Sequence, residues 1–254
     1  MSRKLRRHYY NKSRKPYKNN YKNESEEEYE DRQYKSWTLH DLAIIKPLTK
    51  AQEEMVSSFE EGNHIVAFGS SGSGKSFLAL YLAMNEVLSP QSKTDHIILV
   101  RSAVQTRDLG YLKGTLEEKL SAYENPYRDI FCEIVGRLNT YDDMKREELI
   151  QFITTSFVRS LTFNNAIIIL DEAQNCTFHE ISSIVTRTGE NSRVIVIGDL
   201  AQNDLVSKKE RTGFDRFIRI AEKMPEFSLI HFTRDDIVRS TFVKSFIIAS
   251  EETL

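Results

Sequence analysis

Residues 64–76 constrain this chain more than any others. His64-Ile65-Val66-Ala67-Phe68 is a short apolar run that reads as a buried strand, and it leads without a spacer into Gly69-Ser70-Ser71-Gly72-Ser73-Gly74-Lys75-Ser76. The chain from Lys75 to about residue 88 then reads as a helix, apolar nearly all round, which places it deep between a sheet and its neighbours. A strand, a glycine-rich turn and a helix in direct succession are what a phosphate-gripping loop needs. Glycines let the backbone wrap an anion without Cβ clashes. The N–H groups of Gly69, Ser70, Ser71, Gly72, Ser73 and Gly74, with those of the first helical turn, then point at the anion. On this reading Lys75 reaches the β- and γ-phosphates of a nucleotide and the Ser76 hydroxyl ligates Mg²⁺. An ordinary Gly/Ser turn is the plain alternative, and the next motif argues against it.

That motif is Ala166-Ile167-Ile168-Ile169-Leu170-Asp171-Glu172, an apolar strand running into paired carboxylates. It fits a Walker B pattern. A buried strand delivers Asp171 to its C-terminal edge, where ligands bind in open α/β sheets. Asp171 then holds the metal, and Glu172 polarises an attacking water as general base. Val194-Ile195-Val196-Ile197-Gly198-Asp199 ends another strand in an acid, with Gln202 three residues on. If that strand lies beside the loop strand, Asp199 and Gln202 come close to the γ-phosphate, where a glutamine can orient water. A turn capped by Asp199 is the plainer reading.

Further apolar runs at 96–100 and 227–231 read as strands, with helical patterns between them. Continuous apolar strands suit a parallel sheet covered on both faces, and the alternation argues for an α/β sandwich of the P-loop type. The stretch 117–150 reads as a long helical insertion without recognised chemistry, in which Pro126 begins a new helix capped by Asn125.

Charge divides the chain. Nine of its 35 Lys and Arg lie within residues 1–22, which hold none of the 37 Asp and Glu. An acidic run, Glu24 to Asp31, follows. Residues 1–36 have neither helical nor strand periodicity and are expected to form a disordered tail ahead of one globular domain, 37–254. Tyr9, Tyr10, Tyr17 and Tyr21 are interleaved with the basic residues. Cations that track phosphates and rings that stack on bases suit single-stranded RNA or DNA. The same composition also suits a solubilising tail with no ligand. No run approaches the eighteen or so apolar residues of a membrane span. The basic N-terminus has no apolar stretch behind it, and Cys132 and Cys176 have no metal-type spacing. A cytoplasmic protein with reduced thiols is expected.

Taken together, these residues resemble the PhoH-like family of P-loop ATPases. The segments that carry the resemblance are 69–76, Asp171-Glu172-Ala173-Gln174-Asn175, Gly198-Asp199-Leu200-Ala201-Gln202-Asn203-Asp204-Leu205 and Asp236-Ile237-Val238-Arg239. Arg101-Ser102-Ala103-Val104 and Leu109-Gly110-Tyr111-Leu112-Lys113-Gly114 add to it, and the similarity spans roughly 42–250. The resemblance implies a single RecA-like domain related to superfamily 1 helicase cores. It also implies ATP and Mg²⁺ binding, assembly into a homo-oligomeric ring, and RNA-related work. By the same resemblance Gln52, upstream of the loop, contacts adenine. It also makes Arg239 the favoured arginine finger, ahead of Arg187, Arg193, Arg211 and Arg234. Two departures stand out. Leu161 occupies the place of a second arginine after Arg159, and there is no room for the PIN nuclease domain of some relatives. The compact core looks like the versions encoded by bacteriophages, which would put the protein in a host cytoplasm.

Three functions compete: an ATPase motor on RNA or DNA, a nucleotide-switched assembly protein, and a small-molecule kinase. The Asp171-Glu172 pair weighs against the kinase, where a base that activates water is wasteful.

Overall fold

The computed structural model describes residues 37–102, 116–199 and 213–252. The expected tail, segment 109–114 and Gln202 lie outside them. Six parallel strands make one sheet: β1 His64–Gly69, β2 His96–Arg101, β3 Ile150–Thr154, β4 Ala166–Asp171, β5 Arg193–Gly198 and β6 Phe227–Phe232. Their order across the sheet is β3-β2-β4-β5-β1-β6. The helices are α1 Lys50–Glu60, α2 Lys75–Val87, α3 Leu116–Val135, α4 Thr140–Arg146, α5 Phe178–Val185, α6 Gly213–Ala221 and α7 Thr241–Glu251.

Strand alternation sorts these helices into two layers. Phe152, Leu99, Ile169, Ile195 and Ile65 are successive register partners across the sheet. They face α1 to α4 in one core cluster with Met55, Leu80, Tyr127 and Phe131. The next residues along, Ile153, Val100, Leu170, Val196 and Val66, form a second row on the opposite face. They pack with Ile181, Ile184, Phe214 and Phe217 of α5 and α6. Every residue of β4 is buried, as a strand covered on both faces demands.

The strands at 64–68, 96–100, 166–170, 194–197 and 227–231 form where the sequence predicts them, and β5 does lie beside β1. The stretch 117–150 differs from its reading in two ways. Helix α3 runs straight through Pro126, and Asn125 caps nothing there; its Oδ1 accepts from Arg128 Nη1 at 3.0 Å. An interior proline costs about 3 kcal/mol. Fully burying a large apolar side chain returns about 1.5–3 kcal/mol, and Tyr127, Phe131 and Ile134 bury three on one stripe of α3. The stripe outweighs the missing N–H. The chain also leaves the helical state before Ile150, which begins β3 rather than ending a helix. The reversal turns on Glu148, whose φ of +62° is left-handed, with Leu149 N–H donating to Met144 O at 3.0 Å. No glycine marks that turn. None of the helices formed by described residues is long and apolar enough to cross a membrane.

Candidate nucleotide site

The site is assembled at the C-terminal edges of β1, β4 and β5, three adjacent strands whose order places β5 between the other two. β1 ends at Gly69, where φ is +119° and a Cβ would stand 1.9 Å from Phe232 O of β6. Only glycine fits this close approach. Ser70 N–H donates to the same carbonyl at 2.9 Å, so the loop leaves the sheet while still tied to β6.

Two other elements grip the loop. Gln52 of α1, buried, donates through Nε2 to Ser73 O at 2.8 Å and accepts from Leu48 N–H at 2.8 Å. On the other side Val238 N–H donates to Gly72 O at 3.1 Å. The Arg239 side chain lies over Gly72, where an added Cβ would come within 2.9 Å of its Cγ. Asp236 holds these two supports together. Burial opposes its ionisation, but bonds from the Thr49 hydroxyl, Thr233 and the Ala51 N–H outweigh that and keep its carboxyl below the usual range.

Lys75 opens α2 and folds back along the loop. Its ammonium donates to Gly69 O at 2.9 Å, Ser70 O at 2.7 Å and Ser73 Oγ at 3.2 Å. Burial pushes its pKa below the ordinary 10.5, against the pull of Asp199, Asp171, Glu172 and Glu251. One ammonium thus faces four carboxylates, three of them from the ends of β4 and β5.

Ser76 and Asp171 are 95 residues apart in sequence and meet directly: Ser76 Oγ donates to Asp171 Oδ1 at 2.9 Å. These are hard oxygen donors, the type that suits Mg²⁺, and no softer ligand competes with them. Asp171 Oδ2 accepts from Tyr127 OH at 3.1 Å. Burial raises the Tyr127 phenol well above its ordinary value, with the Asp171 charge adding to it, so it stays a neutral donor. Among the described residues there is no cluster of three or more His, Cys, Asp or Glu poised to hold a metal. The arrangement here is one carboxylate and one hydroxyl, as a nucleotide-bound magnesium that keeps phosphate and water ligands requires.

Glu172 sits at φ +56°, ψ +42°, a left-handed conformation in a residue other than glycine. Such strain persists where the surroundings hold it, and it clusters at functional sites. Gln174 Nε2 donates to Glu172 Oε2 at 2.6 Å, and Gln174 Oε1 accepts from Asp199 N–H at 3.0 Å. The buried Gln174 amide therefore bridges the ends of β4 and β5. Arg101 Nη2 lies 3.9 Å from the other carboxylate oxygen of Glu172.

Lys75, Ser76, Asp171, Glu172, Asp199, Gln52 and Arg239 are thus gathered around one loop. Three of the other arginines considered as fingers are otherwise engaged. Arg193 begins β5, at the far edge of the sheet, and pairs with Glu86 at 3.0 Å. Arg234 pairs with Glu251 and Glu252. Arg187 donates to Ser183 O at 3.0 Å, and Arg211 lies outside the described residues. Sequence reasoning does not single out Tyr127 or Gln174. Tyr127 reads as one more apolar stripe position, and only the family segment around Gln174 gives a signal.

A parallel sheet with this loop at the end of β1 and a carboxylate pair at the end of β4 defines a P-loop NTPase fold. Within that class the chain belongs to the PhoH-like protein family, whose pattern matches residues 44–251. It is 31% identical over 209 residues to a PhoH-like protein of Mycobacterium leprae (strain TN), covering 82% of this chain and 59% of that one. It is 31% identical over 209 residues to a PhoH-like protein of Bacillus subtilis (strain 168), with 82% and 64% covered. To the protein PhoH of Escherichia coli (strain K12) it is 31% identical over 203 residues, with 79% and 56% covered. The chain therefore spans about six-tenths of the length of these relatives. They do not bear on the bacteriophage source read from the compact core. Among solved structures it is similar to the large terminase of a thermophilic bacteriophage in complex with ADP. That TM-score is 0.47 at 12% identity, covering 79% of this chain and 49% of that one. Against the Pif1 helicase of Candida albicans the TM-score is 0.37 at 15% identity, with 76% and 42% covered. At such identities the likeness is one of fold alone.

Proposed function

We propose that the chain binds ATP with Mg²⁺ and hydrolyses it, and that turnover is coupled to single-stranded RNA or DNA in the cytoplasm. The observation that carries the first part is the Ser76–Asp171 contact at 2.9 Å beside a buried lysine held along the glycine-rich loop. In this reading Lys75 exchanges loop carbonyls for the β- and γ-phosphate oxygens as the loop N–H groups close on them. Gln52, already bonded to the loop through Ser73 O, contacts adenine in this reading. Ser76 and Asp171 would hold the magnesium ion, which would supply positive charge against the phosphates. Glu172, oriented by Gln174 and Arg101, takes a proton from water as that water attacks the γ-phosphorus. The bond to the β–γ bridging oxygen breaks, and ADP and phosphate leave. Asp199, at the end of β5, and Gln202, three residues further along the chain, orient that water. Arg239, over its own loop, is suited to act in cis on transition-state charge.

The experiment is nucleotide binding and hydrolysis in two variants, with and without single-stranded nucleic acid. Lys75→Ala is expected to lose nucleotide binding. Glu172→Gln is expected to keep ATP bound while turnover falls at least about a hundredfold, the usual weight of a general base. Normal turnover in Glu172→Gln would remove the general-base assignment. An ATPase rate indifferent to single strands would remove the motor.

One feature favours a second reading, a nucleotide-switched homo-oligomer. Helix α7 has no buried residue and exposes Phe242 at 81% and Phe246 at 66%, while Ile247 of the same helix approaches Gly72 of the loop. A helix that meets the phosphate loop through one residue and exposes two phenylalanines suits an interface that responds to nucleotide. Light scattering with and without ATP separates this reading from a monomeric ATPase.

A further inference from the structure

We infer that Tyr127, delivered by the helical segment between β2 and β3, is a positioning residue that sets the Asp171 carboxylate for Mg²⁺. The inference rests on the magnesium–nucleotide reading above. A carboxylate's terminal torsion is broad, so an aspartate at the end of a strand takes a defined orientation only when its oxygens are held from outside. Oδ1 of Asp171 accepts from Ser76 Oγ at 2.9 Å and from the Glu172 N–H at 3.1 Å. Both donors belong to the phosphate loop and the end of β4, the elements that would hold phosphate and metal. Oδ2 accepts from Tyr127 OH at 3.1 Å, and that donor belongs to neither.

Tyr127 is fixed independently of the site. It is 1% exposed, its ring lies 6.0 Å from that of Phe152 on β3, and Phe131 and Ile134 anchor the same stripe of α3 against α4. The phenol can therefore hold Oδ2 while Oδ1 faces Ser76 and the metal. Groups that orient a metal's ligands in this way are worth about 10–100-fold in metal affinity. The arrangement also gives the segment between β2 and β3 a role in the site: any displacement of α3 moves the donor to Asp171.

The test is the binding of a fluorescent ATP analogue to the full chain, titrated with Mg²⁺ and repeated in EDTA. It compares the wild type, Tyr127→Phe and Asp171→Asn. Tyr127→Phe keeps the buried ring and removes only the hydroxyl. The expected result is a Mg²⁺ half-saturation raised about tenfold, with affinity in EDTA within about twofold of the wild type. An unchanged half-saturation, with Asp171→Asn abolishing the Mg²⁺ response, would overturn the role of Tyr127 and leave the nucleotide reading intact. Equal losses of affinity in Mg²⁺ and in EDTA would assign Tyr127 to packing alone and overturn the inference. A wild type whose binding ignores Mg²⁺ would overturn the underlying reading as well, and the Asp171→Asn arm would then show no change either.

Discussion

At the scale of single residues, Gly69 is the position with least latitude. Its left-handed φ and the Phe232 carbonyl 1.9 Å from any Cβ leave alanine two penalties, backbone strain and overpacking. Each is worth about 1–3 kcal/mol. Gly69→Ala is therefore expected to lower unfolding free energy by about 2–5 kcal/mol and to weaken nucleotide binding, because the loop must tilt away from β6. Urea denaturation measures the first effect and equilibrium binding the second. An unchanged urea midpoint would mean that β6 yields without cost. The site residues divide by how they can be read. Lys75, Ser76 and Asp171 are legible because their chemistry fixes type and spacing together: a glycine loop must precede the lysine, and an apolar strand must deliver the acid. Tyr127 acts through one bond, at 3.1 Å to Asp171, and Gln174 through two, at 2.6 Å to Glu172 and 3.0 Å from the Asp199 N–H. A lone tyrosine on an apolar stripe carries no pattern that separates a donor from a core residue.

At the scale of elements, α3 shows packing overruling a local signal. Pro126 lacks the N–H that would bond the carbonyl four residues back, yet the helix continues because Tyr127, Phe131 and Ile134 bury one face. Pro126→Ala restores that bond and gives up some of proline's restriction of the unfolded chain, worth about 0.4–1 kcal/mol. A net stabilisation of about 2–2.6 kcal/mol is expected, read as a higher urea midpoint. A lower midpoint would show that proline's restriction of the unfolded chain outweighs the missing bond. The same stretch explains where the strand reading fails. Ile150-Gln151-Phe152-Ile153-Thr154 is short and follows a helix without a glycine between, since Glu148 takes the left-handed turn. The strands β1, β4 and β5 are legible for the opposite reason: each is a continuous apolar run ending in glycine or an acid, with its central residues buried on both faces.

At the scale of the whole molecule, charge poses the remaining question. A polyanionic strand must approach a chain in which all 37 acidic residues lie beyond residue 22 and nine of 35 basic ones lie within residues 1–22. Beyond residue 22 acids outnumber bases, so long-range attraction for nucleic acid has its main sequence source in the first 22 residues. If those residues contact phosphates, removing 2–22 takes away up to nine counterion-releasing contacts. Each contact contributes about 0.7 to the slope of log K against log salt for a single strand. The expected outcome is a slope shallower by several units, with the loss of affinity relative to the full chain greatest at low salt, while ATP hydrolysis without nucleic acid is unchanged. Fluorescence anisotropy of a labelled single strand across a salt series measures the slope. The same slope in both forms would make the tail a solubilising appendage and move the search for the nucleic-acid surface to the sheet's C-terminal edge, where Arg101 lies beside Glu172 and Arg239 over Gly72.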